Sequence, residues 1–68
     1  GQNEQRYLIG RAGNRELWRI ARPGSASGID EAIVGWRVHI MPDGSTRASL
    51  DQQVFRSEAA GRDWLVSS

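Results

Sequence analysis

The segment Trp36-Arg-Val-His-Ile-Met-Pro-Asp-Gly-Ser-Thr-Arg-Ala-Ser-Leu50 constrains the fold more than any other part of the chain. Trp36, Val38 and Ile40 alternate with Arg37, His39 and Met41. After a turn, Thr46, Ala48 and Leu50 alternate with Arg47, Ser49 and Asp51. This period of two puts successive side chains on opposite faces of a strand. Pro42 suits the second position of a type I turn, and Gly44 supplies the positive φ that follows it. A three-residue loop closed by a glycine bulge is the expected connection. It sets Ile40 against Thr46, Val38 against Ala48 and Trp36 against Leu50. One face of the hairpin is then apolar, and the other carries Arg37, His39, Arg47 and Ser49.

Sixty-eight residues make one domain. A chain this short buries only about 60% of its unfolded surface, so a single core is marginal. There is no cysteine, so neither a disulfide nor a thiolate metal site reinforces it. The three tryptophans therefore matter, because each can bury a large area. The longest apolar run, Ala32-Ile-Val34, falls far short of the roughly 20 residues that a spanning helix needs. No basic segment leading into an apolar one opens the chain. The expectation is a cytoplasmic protein without membrane contact. Residues 1–5 are expected to form a disordered tail, and residues 6–68 the domain.

All nine basic residues are arginine, against eight acidic ones, for a formal charge of +1. A GC-rich coding sequence produces such a set without any functional cause. A recognition surface also favours it, because guanidinium binds phosphate, carboxylate and guanine edges in bidentate fashion. Only the placement of the arginines separates the two.

Upstream, Arg6–Arg11 reads as a first strand and Ala12-Gly-Asn-Arg15 as a turn. Glu16–Arg22 reads as a second strand, with Trp18 and Ile20 on one face and Leu17, Arg19 and Ala21 on the other. Pro23–Gly28 has no period and reads as a mobile loop, while Ile29–Glu31 is ambiguous. A third strand runs from about Ala32 to Met41 and a fourth from about Ser45 to Leu50. Gln52–Phe55 extends the fourth past an irregularity near Asp51. Ser57 is a good N-cap for a helix through Val66, with Glu58 in the first turn. Gly61 costs that helix about 1 kcal/mol relative to Ala, so the helix must dock to persist. Ala60, Gly61, Trp64 and Leu65 form the docking stripe, and a small residue at 61 lets its backbone approach the sheet.

The fold class expected is α+β: an antiparallel meander of three or four strands packed on one C-terminal α-helix, which covers the apolar face. The expected core is Trp18, Ile20, Val34, Trp36, Val38, Ile40, Leu50, Val54, Phe55, Trp64 and Leu65.

His39 is the only histidine, and Ser49 and Asp51 share its face. A flat sheet face makes a poor pocket, and no Gly-x-Ser-x-Gly elbow is present. One histidine without cysteine or paired carboxylates does not make a metal site. The glycine-bearing turns at 10–13 and 24–28 lack the lysine and the helix of a phosphate loop. No cofactor, metal or enzymatic activity is therefore expected. The candidate contact residues are Arg37, His39, Arg47 and Ser49, with Arg19 joining from the second strand. Arginines on a small sheet are one way to read a DNA major groove. A solvated face blunted by charge has the same pattern.

Trp36, the Pro42-Asp-Gly44 turn, Arg47, Phe55 and the Ser57-Glu-Ala-Ala60 run resemble the AP2-type and integrase arm-type DNA-binding domains. The likeness covers residues 36–65. It implies a three-stranded sheet on a C-terminal helix, with Arg37, His39, Arg47 and Arg19 facing DNA. Ile33-Val-Gly-Trp36 with Pro42-Asp-Gly44 is also similar to part of the type II dihydrofolate reductases, small barrels that act as tetramers; their Val-Gln-Ile-Tyr segment has no counterpart here. Three functions remain open on these grounds. The first is a non-enzymatic module binding nucleic acid through the arginine-bearing face. The second is a protein-interaction or self-assembling accessory protein of a bacterial mobile element, with a homodimer as one form. The third is an oligomeric small-barrel enzyme.

Overall fold

A computed structural model of the chain describes residues 3–24, 28–49 and 51–67. It contains β1 (Gln5–Ala12), β2 (Arg15–Pro23), β3 (Ile29–Ile40), β4 (Thr46–Ala48), β5 (Gln53–Phe55) and α1 (Glu58–Val66). All strand pairs are antiparallel, in the order β1-β2-β3-β4, with β5 also on β3. The α+β architecture expected from the sequence is therefore the one observed.

The Trp36–Leu50 hairpin closes as its turn chemistry requires. Gly44 N–H donates to the Met41 carbonyl at 2.8 Å, Met41 N–H donates to the Ser45 carbonyl at 2.7 Å, and Gly44 has φ of 90°. Val38 lies opposite Ala48 and Ile40 opposite Thr46. Leu50, and with it the expected pair to Trp36, lies outside the described residues, as does the middle of the expected loop, 25–27. β3 starts earlier than expected, because Ile29 already pairs with Pro23 and Gly24 N–H bonds the Gly28 carbonyl. β4 and β5 lie on the same edge of β3, in sequence. Gln53 faces Gly35 while Ala48 faces Val38, so five steps on one side match three on the other. The slip falls between Ala48 and Gln53, in the region of Asp51 where an irregularity was expected.

The side of the sheet that carries the helix is a correction. The helix does not cover the face of Trp18, Ile20, Val34 and Trp36. It lies on the opposite face, against Leu17, Ile33 and Gly35. A Cβ on Gly61 would stand 2.6 Å from Leu17 Cδ1, and one on Gly35 would stand 2.6 Å from the Trp64 ring. A helix brought this close needs a smooth seat, and Gly35 and Gly61 provide it from both sides. The tryptophan face offers no such seat. A β-bulge between Leu8 and Gly10 turns β1 to fit, placing Leu8 beside Trp18 but Gly10 beside Leu17 and under Leu65.

Two flanking arginines hold the helix. Arg15 donates to the Trp64 and Ser67 carbonyls at its C-terminal end, and its guanidinium lies 5.0 Å from the Trp64 ring centroid. Arg19 binds Glu58 in the first turn at 2.7 Å. Arg15 at the C-terminal end and Glu58 in the first turn each complement the helix dipole. Ser57 is the N-cap, its Oγ accepting from Ala60 N–H at 3.1 Å. Leu17 is wholly buried, although the sequence pattern left it out of the core. Ile40 and Val54, expected inside, are 73% and 67% exposed.

Candidate binding surfaces

Among the described residues no helix covers the other face of the sheet, on which Glu16, Ile20, Val34 and Val38 are buried and Trp18 and Trp36 half-buried. On that face Leu8, Trp18, Val34 and Val54 stand directly opposite one another on β1, β2, β3 and β5. Val34 is buried at the centre of this row, while its ends, Leu8 and Val54, are 48% and 67% exposed. Trp36, one pair further along, stacks on Trp18 with ring centroids 5.8 Å apart and planes 27° from parallel. Val38 and Ile40 continue the apolar line of β3 into the hairpin arm.

Glu16 fixes the two indoles. It faces Trp36 across the β2–β3 ladder and is only 5% exposed. Its Oε1 accepts from Trp18 Nε1 and from Trp36 Nε1, both at 3.1 Å. Its Oε2 accepts from Arg11. Burial by itself raises the pKa of this carboxyl, but the hydrogen bonds from Trp18, Arg11 and Trp36 together outweigh it and hold the group below its ordinary value. The carboxylate is thus ionised at neutral pH, and every buried polar side-chain atom among the described residues has a partner. Sequence reasoning passed over Glu16. The available signal was its phase: it alternates with Trp18 and Ile20, so it lies on their apolar face.

The expected contact residues occupy the other side of β3 and β4. His39 and Arg47 are directly opposite each other and both exposed. Arg37 is half-buried and reaches Asp51 at 3.3 Å. Ser49 N–H bonds the Arg37 carbonyl, and Ser49 Oγ accepts from Asp51 N–H at 3.3 Å. Ser49 and Asp51 are therefore engaged with each other and with Arg37 rather than with His39. Arg19 does not join this group. It pairs with Ile33, four residues from Arg37 along β3, and its guanidinium is committed to Glu58.

Six of the nine arginines are paired, sharing four carboxylates. Arg6 and Arg22 bind Glu4, Arg11 binds Glu16, Arg37 binds Asp51, and Arg19 and Arg62 both bind Glu58. Among the described residues no group of three or more His, Cys, Asp or Glu side chains could hold a metal, and no helix is long and apolar enough to cross a membrane. A shallow depression between Asn3, Gln5, Ala21, Pro23 and Ile29 holds Arg22 as its sole ionisable group. No protein-family model, curated protein or solved structure matches this chain.

Proposed function

We propose that this chain is a small binding module without catalytic chemistry, and that its working surface is the bare face of the sheet, taking an apolar surface of another polypeptide. The observation that carries this reading is the row Leu8–Trp18–Val34–Val54, apolar across four strands and open at both ends. An antiparallel sheet with one wet face normally places polar residues there. Exposed apolar side chains gathered on one face, here Leu8, Val54 and Ile40 around half-buried Trp18 and Trp36, support an interaction site. Glu16 adds preorganisation: with both indoles fixed before contact, less side-chain freedom is lost on binding.

A second reading, nucleic-acid binding through Arg37, His39, Arg47 and Ser49, draws on one observation. His39 and Arg47 face each other on an exposed arm, and the carboxylate nearest Arg37, Asp51, is itself 69% exposed. Against it stands the pairing of six of the nine arginines with carboxylates, since affinity for a phosphate backbone scales with the number of phosphates neutralised.

One experiment separates the two. A random peptide library is selected on the immobilised full chain, and duplex and single-stranded oligonucleotides are titrated in parallel. Apolar or aromatic peptides should be recovered. Their binding should be lost in Leu8→Glu and Val54→Glu and kept in the double variant Arg37→Ala with Arg47→Ala. Oligonucleotide binding that falls steeply with salt and disappears in the arginine double variant would replace the first reading with the second.

A further inference from the structure

We propose that the open edge of β3 at Ile29–Glu31 is a strand-addition site, which takes an extended basic segment of another polypeptide. The site is separate from the bare face and does not depend on the reading of that face. The register fixes which backbone groups are free. Val38 N–H bonds the Asn14 carbonyl and Gly24 N–H bonds the Gly28 carbonyl, so the even-numbered residues of β3 turn their N–H and C=O toward β2. The β2–β3 register holds without a shift from Arg37 back to Ile29. The odd-numbered residues therefore turn theirs to the other edge, where the Arg37 carbonyl accepts from Ser49 N–H.

Along that edge β4 pairs with Val38–Ile40 and β5 with Ile33–Gly35. Before Ile33 the edge is open, because the chain bends out of the line of β5 at Arg56 and Ser57 and enters α1. The N–H and C=O groups of Ile29 and Glu31 thus point out of the sheet with no strand beside them among the described residues. Ile29, Asp30 and Glu31 are all exposed. Groups at this spacing match the backbone of an extended chain, and backbone pairing of this kind gives affinity without a preformed pocket.

Charge selects the sequence of the added strand. Asp30 and Glu31 are adjacent, and among the described residues neither enters an ion pair. Arg22, across the ladder from Asp30, reaches Glu4 instead. A second copy of the same edge would bring the two acidic pairs together, whereas a strand carrying Lys or Arg meets opposite charge. Every strand pair in this sheet is antiparallel. An antiparallel newcomer meets Glu31 first, then Asp30, then Ile29, so its pattern is basic, basic, apolar. The apolar residue lies beside Ile29, which is 69% exposed and lines the shallow depression with Ala21 and Pro23.

Titration of the isotope-labelled full chain with the end-capped peptide Thr-Lys-Lys-Val-Thr, followed by amide NMR, tests this. Shifts should centre on Ile29–Ala32, and exchange of the Glu31 amide should slow. The peptide Thr-Glu-Glu-Val-Thr should bind about tenfold more weakly or worse. So should the basic peptide N-methylated at its first lysine and its valine, which keeps its charge and loses the donors aimed at β3. The double variant Asp30→Lys with Glu31→Lys, at exposed positions, should exchange the two charge preferences. A basic peptide that shifts nothing on β3 at millimolar concentration overturns the proposal. Binding indifferent to N-methylation also overturns it, since that is ionic attraction alone. Shifts at the Trp18 and Trp36 indoles in place of β3 overturn it while supporting the bare face as the working surface. Glu31 exchange that slows with protein concentration in the absence of peptide makes a second copy the occupant and overturns it as well.

Discussion

At the scale of single residues, Glu16 is the one buried charged residue among the described residues. Its carboxylate is 6% exposed at the side chain, accepts from two indoles and carries the Arg11 ion pair. Glu16→Ala leaves both indole N–H groups without their acceptor and should cost about 2–4 kcal/mol. Glu16→Gln keeps an acceptor oxygen for the indoles and loses the charge, so it should cost less. Their pH behaviour also differs. The folded pKa of Glu16 lies below its ordinary value of 4.5, so the unfolded chain takes up the proton first as pH falls. The stabilisation is therefore complete above about pH 4.5 and is lost as pH falls through the folded value. Glu4, Asp43 and Glu58 are lowered in the same direction by Arg6, Ser45 and Arg62 with Arg19 respectively. Urea melts of native protein and Glu16→Gln between pH 3 and 7 check this: the variant should start lower and fall less steeply into acid. Equal acid slopes would mean that folding leaves the pKa of Glu16 unshifted.

At the scale of elements, the order of the strands and the position of the helix were legible, the early start of β3 at Ile29 and the separation of β5 from β4 were not, and neither was the face that the helix covers. Turn chemistry at Pro42-Asp-Gly44, alternation in 36–48 and the Ser57 cap all act locally, so the sequence displays them directly. The docking face depends on shape. Both faces of β2 and β3 carry apolar residues, and the larger set, Trp18, Ile20, Val34 and Trp36, looks the better seat by area alone. The helix needs a close approach instead, and Leu17, Ile33 and Gly35 supply a flat one. Arg15 and Arg19 made that side look wet, yet their guanidinium groups clasp the two ends of the helix. The same inversion hid the bare face, because a patch is seen to be unpartnered only once the helix is placed. Gly61→Ala tests the close-approach account. Helix propensity gains about 1 kcal/mol, but the new methyl meets wholly buried Leu17 at 2.6 Å and Ile33 at 3.1 Å. The variant should lose about 1–2 kcal/mol in denaturant melts, reversing the sign that propensity gives. A stabilised Gly61→Ala would show that the helix has room to spare.

At the scale of the whole molecule, the chain is a thin two-layer body with an arm. Its extents are 43 × 27 × 17 Å, and the long dimension follows the 12 residues of β3. The pairing of β2 with β3 ends at Arg37, so Val38–Ile40 and β4 run on past the body as a hairpin of their own. Val38 is still tied back, through its N–H to the Asn14 carbonyl at 2.7 Å, and α1 contacts β1, β2, β3 and β5 but not β4. Thr46, Arg47 and Ala48 are all exposed. Backbone hydrogen bonds in such an arm open without disturbing the core, whereas those of β2 with the first part of β3 open only with the body. Amide exchange should therefore divide the two. Thr46–Ala48 should exchange through local opening at rates insensitive to low denaturant, and Leu17–Ile20 should exchange only by global unfolding. The division matters for function, because the arm carries both Ile40 on the bare face and the His39–Arg47 pair on the other. A partner seated on Ile40 should slow exchange at Thr46, its register neighbour, along with the sheet. A nucleic acid gripping His39 and Arg47 should slow the arm alone, leaving the exchange of β1 and β5 amides unchanged. Uniform protection from Leu17 through Ala48 in the free chain would instead make the arm part of the core.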